Sequence, residues 1–211
     1  MITPDRINGI KTYIWSAKDQ AFFDQNRSEF VYQGDVLQKI VTYDEINQSS
    51  GITEDIYTYD TDGKVTHIQH KPSNGNVSSD VDLQYFDTNG SLRAVYKFSN
   101  GAGFEYDVHN QFGSVRSDKV TRYGELCSSG NYTYDKNINP LSTLGYVDYM
   151  LRNYSISNRL TEDVNYSGCA FPSLVAESYS YVYDGDGYPV KQVTNYKGTT
   201  VKTVLEYSYV N

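Results

Sequence analysis

The feature of this 211-residue chain that most narrows its possible folds is a short word that recurs along it. Tyr57-Thr-Tyr-Asp-Thr-Asp-Gly-Lys-Val65, Leu83-Gln-Tyr-Phe-Asp-Thr-Asn-Gly-Ser-Leu92 and Tyr181-Val-Tyr-Asp-Gly-Asp-Gly-Tyr-Pro-Val190 all run from an alternating aromatic stretch into Asp, a spacer, Asp or Asn, Gly and an apolar restart. A degenerate copy begins Phe104-Glu-Tyr-Asp107, with Asn110 where the glycine belongs and a late glycine at Gly113. Tyr132-Thr-Tyr-Asp135 and Phe30-Val-Tyr-Gln-Gly-Asp-Val36 keep only part of the word. Each copy reads as a β-hairpin. Period-two alternation puts Tyr57 with Tyr59, and Tyr179 with Tyr181 and Tyr183, on one face of a strand. Asp60, Asp87 and Asp184 are the turn residues that accept backbone N–H bonds, and Gly63, Gly90 and Gly187 supply positive φ at little cost. The turn aspartates at 60, 87, 107 and 135 stand 27, 20 and 28 residues apart, the length of a hairpin plus its return connection. That spacing predicts a meander in which every strand pairs with its sequence neighbours.

Composition agrees. Tyr numbers 22 and Val 19, against 6 Ala and 10 Leu, so the chain lacks strong helix formers and is rich in residues that suit a pleated, half-buried surface. We expect a single all-β domain over residues 1–211: a long, curved antiparallel meander, half-barrel or porin-like, of about 14 strands. They are placed near 6–15, 21–32, 36–43, 54–60, 64–70, 80–87, 91–98, 103–108, 113–121, 130–135, 158–166, 174–184, 188–196 and 200–210. One short helix is expected over 142–152, where Leu144, Val147 and Leu151 recur at helical spacing behind a Ser142 cap. Residues 48–52 and 71–79 read as loops.

The net charge of −8 argues against a protein built to neutralise nucleic-acid phosphates. No apolar run is long enough for a membrane-spanning helix. Residues 1–14 lack the basic start and continuous apolar core of a secretory signal, so the chain is either cytoplasmic or has had its signal removed. Cys127 and Cys169 are the only cysteines and match no zinc spacing. They are either two idle thiols or one bridge formed in an oxidising compartment.

Taken together, the hairpins resemble the tyrosine-aspartate repeats of large shell-forming bacterial proteins, although the copies are few and irregular. The order Tyr132-Thr-Tyr-Asp135, Asn139-Pro140, Leu151-Arg-Asn153, Tyr179 to Pro189 and Leu205-Glu-Tyr-Ser-Tyr209 is similar to that of a family of uncharacterised exported lipoproteins of Gram-negative gut bacteria, a domain of unknown function with a porin-like β fold. The likeness covers roughly residues 54–211. It implies export to the periplasm or cell surface and attachment to a membrane only through a lipidated cysteine now trimmed away. It supplies no catalytic residue.

The candidate chemistry is sparse. Asp60-x-Asp62-Gly63 and Asp184-x-Asp186-Gly187 look like fragments of a calcium loop, but neither continues to a bidentate Glu, and turn chemistry accounts for the same letters. Glu105 with Asp107, and Asp80 with Asp82, share strand faces as a glycosidase acid pair would, a weak signal among 26 acidic residues. His67 and His70, three apart, fall on opposite faces of a strand, and His109 stands alone. No nucleophile elbow, phosphate-binding loop or dinucleotide fingerprint occurs. We therefore expect no cofactor, no metal and no enzymatic activity. Most tyrosines are expected in the core, which leaves Tyr146, Tyr149 and Phe171 as candidate ligand-binding aromatics on a loop or helix. The leading expectation is a binding or adaptor module of the cell envelope that takes a glycan, peptide or protein. The alternatives are a structural or assembly β protein, a small outer-membrane barrel and, behind these, a glycoside hydrolase. Against lipid embedding, the strand faces opposite the tyrosines carry Thr, Glu and Ser rather than a continuous aliphatic band.

Overall fold

The computed structural model describes residues 6–16, 20–44, 52–72, 78–86, 91–139, 155–167 and 176–210. They form fourteen strands: β1 (Arg6–Ser16), β2 (Ala21–Gln33), β3 (Val36–Asp44), β4 (Ile52–Tyr59), β5 (Val65–Pro72), β6 (Ser79–Tyr85), β7 (Leu92–Phe98), β8 (Gly103–Gln111), β9 (Ser114–Arg122), β10 (Glu125–Ile138), β11 (Ser157–Tyr166), β12 (Ala176–Tyr183), β13 (Pro189–Tyr196) and β14 (Lys202–Val210). Every strand pairs antiparallel with its sequence neighbours, as the hairpin words predict. The first and last strands also pair, from Arg6↔Val210 to Ile14↔Thr203. The expected half-barrel is thereby corrected to a closed barrel with no unpaired edge. The described residues contain no helix; the helix expected over 142–152 lies outside them.

Alternation sorts the side chains. In β6, Val81 and Leu83 are buried while Asp80, Asp82 and Gln84 face away. In β7, Leu92, Ala94 and Tyr96 are buried while Arg93 and Lys97 face away. The buried set forms one cluster that draws on β2 to β10, with Tyr57, Tyr96 and Tyr132 in it and Tyr32, Tyr59, Tyr85, Tyr106, Tyr134, Tyr207 and Tyr209 packed against it. The tyrosines are thus largely core, as expected of a chain with few leucines.

Two turns explain the boundaries the sequence misplaces. Phe112 and Gly113 (φ 54° and 80°), then Tyr123 and Gly124 (φ 53° and 81°), make two-residue hairpin turns with both central residues left-handed. An aromatic is a poor signal for such a position. β10 therefore begins at Glu125 rather than near residue 130.

A tyrosine near the rim end of five strands has a specific role. The ladders between hairpins stop short on the rim where the Asp-Gly turns sit: β3–β4 ends at Lys39↔Ile56, β5–β6 at His67↔Asp82, β9–β10 at Asn131↔Ser117 and β13–β14 at Lys191↔Glu206. Beyond each end, a tyrosine three residues along one strand donates its hydroxyl to the carbonyl two residues along the other, which the ladder leaves behind. The pairs are Tyr59 to Leu37 O (2.7 Å), Tyr85 to Val65 O (3.0 Å), Tyr134 to Val115 O (2.7 Å) and Tyr209 to Pro189 O (2.6 Å). Tyr181 does the same for Arg159 O at 2.8 Å. Buried carbonyls need a partner, so the repeated aromatic lets neighbouring hairpins splay without leaving an acceptor unmet. The β7–β8 ladder runs on to Leu92↔Val108, and there the copy of the word is the degenerate one.

Candidate functional site

The turn words do local work. Asp60 Oδ1 accepts from the backbone N–H of Asp62 and Lys64, each at 2.9 Å, and Gly63 has φ 78°. Asp184 Oδ1 accepts from Asp186 and Tyr188 N–H at 3.0 and 2.9 Å, and Gly187 has φ 87°. Asp87 and Gly90 lie outside the described residues, as do Tyr146, Tyr149, Phe171 and Cys169. Cys127 is buried and disulfide-bonded.

The carboxylate pairs proposed for hydrolysis sit on the outer face in ion pairs. Arg93 grips Asp107 with two bonds of 2.6 and 2.9 Å. Asp82 takes Lys97 Nζ at 2.7 Å and His67 Nδ1 at 2.8 Å. These bonds, Lys97 first, hold the Asp82 carboxyl below its ordinary range, opposite to what a proton-donating acid needs. His70 lies on the inner face and meets Asp55 at 2.6 Å, so the two histidines do point to opposite sides.

Sequence reasoning missed a polar cluster inside the barrel. Arg159 and Glu162 pair at 3.0 Å with side chains only 9% and 13% exposed. The Arg159 guanidinium lies 4.0 Å from the centre of the Tyr132 ring. Tyr106 and Tyr132 both donate to Asp118 Oδ2, and Tyr179 donates to Glu162 Oε2 at 2.7 Å. Burial pushes the phenols of Tyr106, Tyr132 and Tyr179 well up, so they remain hydrogen-bond donors at neutral pH. The cluster fastens β8, β9, β10, β11 and β12 through side chains on the inner face. On a regular strand Arg159 and Glu162, three apart, would face opposite ways. The β10–β11 register steps from Thr133↔Thr161 to Tyr134↔Arg159, leaving Leu160 as an extra residue, and this bulge brings both inward. Space for the cluster depends on Gly130, opposite Asp118, where an added Cβ would stand 2.5 Å from the Tyr132 hydroxyl and 2.9 Å from Asp118 Oδ1.

The outer face has the opposite character. Lys11, Arg27, Asp82, Asp107, Lys119 and Glu206 sit at or near mid-strand and point outward, and Lys11, Glu206 and Lys191 oppose one another across three strands. Lys39 and Glu54 add an ion pair of 2.5 Å. No described helix is long and apolar enough to cross a membrane, which says nothing of a barrel.

Fold and polarity together define a closed fourteen-strand antiparallel barrel with a charged exterior and an apolar, tyrosine-lined interior that encloses the buried ionic cluster and the His70–Asp55 pair. Solved structures it is similar to include porin-like proteins of Bacteroides. One, from Bacteroides uniformis, aligns over 98% of this chain and 99% of its own with a TM-score of 0.52 at 12% identity. Another, from Bacteroides vulgatus, aligns over 98% and 99% with a TM-score of 0.49 at 13% identity. At such identity the first likeness speaks for the fold alone, and it agrees with the porin-like architecture that the motif order implies. No protein-family profile and no curated protein sequence matches the chain.

Proposed function

We propose that the protein is a non-enzymatic structural barrel of the bacterial cell envelope that stands in water and presents its hairpin rims to other molecules. The observation that carries this reading is the inverted polarity of the barrel. A basic residue on the lipid face of a β-barrel costs about 2–4 kcal/mol at the bilayer midplane. Lys11, Arg27 and Lys119 alone would then cost about 6–12 kcal/mol, comparable with a whole folding stability of about 5–15 kcal/mol. The interior speaks against a water channel as well. Ile68, Val81, Leu92 and Ala94 all face inward with 0% exposure, whereas a wet lumen would leave them accessible. The exported location rests on the resemblance of the motif order, and a lipid anchor ahead of the barrel belongs to the same proposal. Purification without detergent tests the reading, followed by flotation with phospholipid vesicles. A monodisperse protein that stays at the bottom of the gradient is expected. A protein that precipitates without detergent, or floats and conducts ions across a planar bilayer, is instead a membrane barrel.

A further inference from the structure

We propose that the rim carrying the Asp-Gly turns is a docking surface for a basic partner segment with an apolar anchor, centred on Phe112. The proposal rests on the reading of the chain as a water-exposed scaffold. Phe112 occupies the tip of the β8–β9 hairpin and is 87% exposed. Its φ of 54° is a conformation that Gly, Asn or Asp adopts at lower cost. A bulky ring held there, in solvent, contributes nothing to the core. Tyr123 has the same backbone geometry at the opposite rim, but the Arg122 guanidinium lies 5.4 Å from its ring centre. Among the described residues no ring or cation stacks on Phe112.

The neighbouring tips extend the patch. Ile156, 52% exposed, donates its N–H to Gly113 O at 2.8 Å and packs its side chain over Gly113. On the other side the base of the β6–β7 connection is tied in by Asn110 N–H to Ser91 Oγ at 3.1 Å, and Phe86 there is 57% exposed, with the Arg93 guanidinium 5.8 Å from its ring centre. Phe112 and Ile156, with Phe86 on the neighbouring hairpin, supply the apolar centre. The next tips outward carry exposed carboxylates on both flanks: Asp60 and Asp62 between β4 and β5, where Lys64 offsets one charge, and Asp184 and Asp186 between β12 and β13, in a turn without Lys or Arg. An apolar centre inside a charged rim is the anatomy of a protein-binding surface, and the sign of the rim selects a cationic partner. A second copy of this chain, at −8, would be repelled, and an anionic lipid surface would be too.

The test is selection of a random displayed-peptide library on the detergent-free wild-type protein, with affinities of the selected peptides then measured on variants. Phe112→Asn suits the same turn and keeps the fold, while Asp62→Asn with Asp186→Asn spares the turn bonds made by Asp60 and Asp184. Enriched peptides are expected to combine Lys or Arg with Trp, Phe or Leu. Phe112→Asn should weaken them about tenfold or more, and the double charge variant should weaken them and flatten their salt dependence. No enrichment, enrichment of acidic or neutral peptides, or equal binding to Phe112→Asn overturns the proposal. So does self-association, or vesicle binding, that Phe112→Asn abolishes, since the occupant is then a second copy or a lipid surface. A protein that needs detergent from the outset refutes the scaffold reading instead, before selection begins.

Discussion

Replacing Arg159 by Met tests whether the barrel interior is dry. The guanidinium pairs with Glu162 at 3.0 Å, and both side chains are nearly buried. Removing it leaves the Glu162 carboxylate with the Tyr179 hydroxyl at 2.7 Å, and Asp118 with its two phenols, but without the cation beside them. Breaking a buried pair from one side costs about 3–5 kcal/mol, and loss of the contact with the Tyr132 ring is contained in that figure. A fold of ordinary stability, about 5–15 kcal/mol, would lose a third of it or more. Urea unfolding followed by far-UV circular dichroism reads the change as a lower midpoint. The double variant Arg159→Met, Glu162→Met separates the effects: with both charges gone and the volume kept, stability should return to within about 1–2 kcal/mol of wild type. A loss below about 1 kcal/mol for the single variant would mean that water solvates the cluster, and the packed interior would then be wrong.

Further outcomes follow from the same geometry. Tyr59→Phe, Tyr85→Phe, Tyr134→Phe and Tyr209→Phe each leave one carbonyl unmet and should cost about 0.5–1.5 kcal/mol; equal loss from a tyrosine that caps no carbonyl would refute this. Burial pushes the Tyr59 and Tyr183 phenols up to about 12. The folded chain keeps those protons while the unfolded chain sheds them near pH 10, so stability falls as pH rises from about 10 to about 12; spectrophotometric titration should show tyrosines that ionise only on unfolding. At Gly103 a Cβ would stand 2.6 Å from the Tyr96 carbonyl oxygen, and Gly103→Ala should lower the thermal midpoint by an amount equivalent to about 1–3 kcal/mol, which an unchanged melting curve would contradict. Because Cys127 is disulfide-bonded, a thiol assay in denaturant should find it blocked, and reductant should lower stability by about 2–4 kcal/mol.

What the sequence determines by itself is local. Alternating aromatics around Tyr57 and Tyr181, with Asp60, Gly63, Asp184 and Gly187 after them, specify strand, turn and face from neighbours within ten residues, and period-two patterning separates Val81 and Leu83 from Asp80 and Asp82. The charged exterior is legible for the same reason, because it is the other half of that alternation. Features that depend on residues distant in sequence were decided only in three dimensions. Closure requires Arg6 to meet Val210, a contact with no turn chemistry to announce it. The Arg159–Glu162 pair requires a bulge at Leu160 that a regular strand pattern argues against. The tyrosine caps require each ladder to stop two residues early, which depends on how the hairpins splay when the sheet curls into a barrel. Hydrogen bonds between neighbours are encoded by short words, whereas shape and burial belong to the whole sheet.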